Sequence, residues 1–95
     1  MRLSAIQKDL LFVLYALRER NPDQTVIPSV RLFRMLEQNS RKTFFATNFR
    51  TSCHTLHRHG LLSKYRNASM KLAFGLTDTG ADIARDIYTA RLKTL

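Results

Sequence analysis

The sequence predicts a mainly α fold with a small β-hairpin, in the order α-α-α-β-β-α, forming one domain over residues 1–95. Three observations carry this expectation. Apolar residues recur at helical spacing in four stretches, and between Gly60 and Thr77 the period falls from 3.6 to 2. The chain has 95 residues, of which 44% are hydrophobic, enough for one core and too few for two.

Each element can be justified in turn. Ser4 followed by Gln7 matches a capping box, and Leu3, Ile6, Leu10, Val13, Leu14 and Leu17 follow at helical spacing, so the first helix runs from about Ser4 to Arg20. Leu11, Phe12 and Tyr15 widen its apolar arc, which makes the helix either central in the fold or shared with a second subunit. Asn21, Pro22 and Asp23 end it. Thr25 to Ile27 suit a short extended piece, and Pro28 with Ser29 opens a second helix, with Val30, Phe33 and Leu36 inward and Asn39 closing it.

After a short linker at Ser40 and Arg41 a third helix runs to about His59, and Gly60 closes it. Phe45, Phe49, Cys53 and Leu56 make its core stripe, while Thr43, Thr47, Arg50, His54 and Arg58 line the other side, with Asn48 and Thr51 alongside. Leu62 to Arg66 and Lys71 to Leu76 read as the two strands of a hairpin, with Leu72, Phe74 and Leu76 on one face and Asn67 to Met70 at the tip. Thr77 and Asp78 cap a last helix, about Thr79 to Arg91, with Ala81, Ile83, Ala84, Ile87, Tyr88 and Leu92 apolar.

This is the element order of a winged helix-turn-helix. Leu56-His57-Arg58-His59-Gly60-Leu61-Leu62 resembles the end of the recognition helix in bacterial regulators of the MarR and PadR type, and Leu76-Thr77-Asp78-Thr79-Gly80 is similar to the segment after their wing. The resemblance covers nearly the whole chain and implies a DNA-binding transcriptional regulator. One departure is at the wing tip, where Arg66-Asn67-Ala68-Ser69-Met70 stands in place of the usual Asp-x-Arg pair.

Charge supports a nucleic-acid partner independently. The formal net charge is +9, and Gln38 to Thr77 holds seven basic residues, three histidines and no carboxylate, whereas residues 78–95 are neutral in sum. Solubilising surfaces usually mix both signs. The expected site residues on the recognition helix are Arg41, Lys42, Thr43, Thr47, Asn48, Arg50, Thr51 and His54, with Arg50 and Asn48 suited to forking onto guanine and adenine. On the wing they are Lys64, Arg66, Asn67, Ser69 and Lys71, suited to phosphate or the minor groove.

Other functions are not expected. Cys53, His54, His57 and His59 are read as a buried thiol and helix-end imidazoles rather than metal ligands, and Asp78, Asp82 and Asp86 as a cap and a solvated face. No nucleophile elbow, phosphate loop or zinc-protease motif is present, so the protein is expected to be no enzyme and to need no cofactor. The longest apolar run is Leu10 to Leu17, short of the roughly 20 residues that cross a bilayer, and its charged flanks do not suit a signal peptide. A cytoplasmic protein, nucleoid-associated when bound to DNA, is expected, with double-stranded DNA as partner and no membrane. The surplus apolar residues of the first helix and of residues 78–95 point to a homodimer. The expected role is that of a repressor; the alternatives are a plasmid or phage replication or partition factor, or a winged-helix protein-interaction module.

Overall fold

The computed structural model describes residues 2–39 and 46–94. The elements are α1 (Ala5–Arg20), β1 (Ile27–Pro28), α2 (Ser29–Asn39), α3 (Ala46–Arg58), β2 (Leu62–Arg66), β3 (Leu72–Leu76) and α4 (Asp78–Lys93). Phe45 and the linker at Ser40 and Arg41 lie outside the described residues.

α1 starts as its sequence requires. The Gln7 N–H donates to Ser4 Oγ at 3.2 Å and the Ser4 N–H donates to Gln7 Oε1 at 3.0 Å, so two of the amides that a helix start leaves unpaired are satisfied reciprocally. Leu10, Leu11, Val13, Leu14 and Leu17 are all buried. The wide apolar arc is explained within the chain, because α4 packs along α1. Phe12 and Tyr15 both lie against Tyr88, with ring centroids 5.5 and 5.1 Å apart. Ile83 and Ile87, expected to lack cover, pack against the core. Arg91 ties the same two helices: its guanidinium donates to Asp9 Oδ1 at 2.8 Å and stacks 4.9 Å from the centre of the Phe12 ring.

α2 corrects one expectation. Phe33 and Leu36 face the interior, the former meeting Phe49 of α3 edge-on at 5.2 Å, but Val30 is 57% exposed and Leu32 takes its place in the core. The extended piece before α2 is a strand. β1 pairs antiparallel with β3, Ile27 opposite Phe74 and Pro28 opposite Ala73, so the hairpin becomes a three-stranded sheet of order β1-β3-β2. Pro28 has no N–H to offer the ladder, which suits an edge strand that stops at two residues.

The ends of α3 and β3 meet at the start of α4. α3 closes on Gly60, whose φ of 76° lies in the left-handed region. The Gly60 amide returns to the His57 carbonyl at 3.0 Å and the Leu61 amide to the Leu56 carbonyl at 2.9 Å, satisfying carbonyls that a helix end otherwise leaves open. Thr77 Oγ1 donates to the Gly60 carbonyl at 2.6 Å and accepts from the Gly80 amide at 2.9 Å. Gly80 rests so closely on Leu61 that a Cβ would collide with the Leu61 carbonyl oxygen. The two short motifs noticed in the sequence are thus the two halves of one contact, which fixes the hairpin between α3 and α4.

Candidate nucleic-acid interface

α3 divides cleanly by burial. Phe49, Ser52, Cys53 and Leu56 are buried, and Thr47, Asn48, Arg50, Thr51, His54, His57 and Arg58 are exposed. Burial also accounts for the thiol of Cys53, whose pKa is pushed up to about 12, so it stays protonated as an apolar core group. Among the described residues no three His, Cys, Asp or Glu side chains come together in a way that would hold a metal ion.

Strand register decides where the wing cations lie relative to this helix. Lys64 is directly opposite Phe74 and Arg66 is opposite Leu72, and residues opposed in an antiparallel pair project from the same face of the sheet. Phe74 points into the core and its ring sits edge-on to His54 of α3, 6.4 Å between centroids. Lys64 and Arg66 therefore leave the sheet on the side occupied by α3. Lys71, just before β3, is exposed at the tip end of the hairpin. Among the described residues Arg50, Arg58, Lys64 and Lys71 have no ion-pair partner; the two salt bridges join Arg85 to Asp86 and Arg91 to Asp9.

No protein-family model matches the sequence, and no curated protein matches it. Solved structures do. RosR of H. salinarum superposes with a TM-score of 0.75 at 22% identity, over 97% of this chain and 76% of that one. A mutant of ZitR from Lactococcus lactis gives 0.74 at 14% identity over 99% of this chain, and MepR from Staphylococcus aureus, a transcription regulator of the multidrug efflux pump MepA, gives 0.68 at 19% over 97%. The fold is a winged helix-turn-helix. This chain spans 56% of the length of that ZitR structure and 62% of that of MepR.

In this winged helix α3 is the helix that precedes the wing, and β2 with β3 form the wing. Of the residues expected on the recognition helix, Thr47, Asn48, Arg50, Thr51 and His54 all lie on its exposed face, and Arg41, Lys42 and Thr43 fall outside the described residues. On the wing, Lys64, Arg66, Asn67, Ser69 and Lys71 are all exposed. Two of these also hold the tip together. Asn67 Oδ1 accepts from the Ser69 amide at 2.9 Å and the Lys71 amide at 3.0 Å, and Arg66 Nη1 donates to the Met70 carbonyl at 3.0 Å. Met70 is the one large apolar side chain of the tip, and it is exposed.

Proposed function

We propose that this winged helix binds double-stranded DNA sequence-specifically and acts as a transcriptional repressor, in the cytoplasm, as a homodimer. The observation that carries the reading is the shared side of α3 and the wing. Arg50, on the exposed face of α3 one turn before His54, and Lys64 and Arg66 of the wing all come from a forty-residue stretch without a carboxylate, so this segment offers phosphates cations and hydrogen-bond donors. Likeness in fold to MepR, itself a transcription regulator, supports the regulatory part. None of the described helices is long and apolar enough to cross a membrane.

With α3 in the major groove, Arg50 and Asn48 are the base readers, each good pair contributing about 1–3 kcal/mol of discrimination. Thr47, Thr51 and His54 flank them, with Arg41, Lys42 and Thr43 at the approach to the helix. Lys64, Arg66, Asn67, Ser69 and Lys71 bind phosphate or the minor groove. For the dimer, α4 and α1 leave a groove of about 550 Å³ lined by Phe12, Ala16, Met35, Tyr88 and Leu92, the last 45% exposed. A second copy seated there supplies two reading heads. Selection of bound sequences from a random duplex pool tests both parts: the expected product is two inverted half-sites about one helical turn apart, bound at the mass of two chains by light scattering. A pool that yields no preferred sequence would refute specific recognition.

A further inference from the structure

The wing tip contains a feature that phosphate binding does not require. Met70 is the most exposed large apolar side chain among the described residues, at 66%, and it is the one non-glycine there with positive φ, at 62°. Both properties are unfavourable in isolation: the thioether faces water, and a side chain in the left-handed region crowds its own backbone. The surrounding hydrogen bonds hold it there. The Met70 amide donates to the Asn67 carbonyl at 2.9 Å, the Arg66 guanidinium clasps the Met70 carbonyl at 3.0 Å, and Asn67 Oδ1 fixes the amides of Ser69 and Lys71 on either side. An apolar side chain is thus presented, in a preset backbone, between two cations at the end of a two-strand arm.

We propose that Met70 is a wedge that enters the minor groove and partly unstacks one base step, so that the protein bends the DNA it binds. The inference rests on the DNA-binding function proposed above and adds a residue and a consequence to it. Arg66 and Lys71 draw the tip to the backbone on both sides of the groove, whose negative potential favours them. The unbranched, polarizable thioether then exchanges water for the faces of bases. Its energetic cost to the DNA depends on the step it opens, and pyrimidine–purine steps open most easily. Met70 therefore adds sequence preference at a position that makes no base-edge hydrogen bond.

The test uses the full chain with a duplex recovered from the pool selection, labelled at its ends for energy transfer, and compares wild type with Met70→Leu and Met70→Asn. Asparagine is at home in the left-handed region, so the second variant keeps the tip and removes the wedge. Wild type and Met70→Leu should bend the duplex, by on the order of 20–90°, whereas Met70→Asn should leave it straight and bind about tenfold more weakly with an unchanged salt dependence. Equal bending and affinity for Met70→Asn would overturn the wedge while leaving DNA binding intact. Absence of any duplex binding by wild type would remove the wedge together with the function it rests on. Cosedimentation with phosphatidylserine vesicles that is lost in Met70→Asn, without an effect on DNA, would assign the tip to a membrane surface and overturn the proposal.

Discussion

Gly60 and Gly80 sit 20 positions apart and meet across one junction, yet they are glycine for different reasons. Gly60 has open space where a Cβ would go and a positive φ, so its requirement is conformational. Gly80 is pressed against the Leu61 carbonyl, so its requirement is steric. Gly60→Ala should cost about 1 kcal/mol, the penalty of a Cβ in the left-handed region, and Gly60→Asn less. Gly80→Ala forces α4 away from the end of α3 and should cost about 3 kcal/mol. Urea unfolding of the variants measures both; equal losses would contradict the distinction. The role of Gly60 was legible in the sequence because it stands where a helix closes, whereas the contact of Gly80 with Leu61 spans 19 positions and shows only in the fold. The rotation of α2 was not legible either. Val30, Phe33 and Leu36 share a helical face, but so do Leu32 and Leu36, and spacing alone does not choose between them.

At the scale of elements, the four helices and the hairpin could be read from periodicity, whereas β1 could not be read as a strand. Two residues have no period, and their partner β3 is more than forty positions away. The same distance hides the packing of α1 on α4, which covers part of the apolar surface that each carries. Spacing along the chain does not show that the first and last helices pack together, so their whole apolar faces look uncovered from sequence, whereas only part, around Leu92, is exposed. Arg91 is the polar mark of that packing. Its side chain is 40% exposed and that of Asp9 36%, so solvent screens the pair and its contribution is modest. Arg91→Met, which keeps the apolar stem but loses the ion pair and the stacking on Phe12, should destabilise the fold by about 1 kcal/mol. Asp9→Asn, which loses the ion pair but keeps the stacking on Phe12, should cost less, and the double variant little more than Arg91→Met alone, since the ion pair is lost only once. Strict additivity in the unfolding free energies would show that the α1–α4 tie lies elsewhere.

For the whole molecule, the net charge of +9 acquires meaning only through topology. Segment counting located the surplus between residues 38 and 77, and helical spacing identified the exposed face of α3. The sequence could not show that Lys64 and Arg66 leave the sheet on the side of that face. That follows from a register that pairs Lys64 with Phe74 and from the contact of Phe74 with His54. Nor could it show that Asn67 and Arg66 spend hydrogen bonds on shaping the tip, since these close only once the hairpin has formed.

If α3 and the wing form one surface for DNA, a salt titration of duplex binding by fluorescence anisotropy will show it. For wild type the logarithm of the binding constant should fall linearly with the logarithm of salt concentration, by about 0.9 for each phosphate neutralised. Lys64→Ala should reduce that slope by about 0.9 on every sequence, and Arg50→Ala should remove about 1–3 kcal/mol of preference for the selected site. Combined, they should abolish measurable binding at physiological salt. If the double variant binds the selected duplex as wild type does at every salt concentration, the surface described here is not the one that meets DNA.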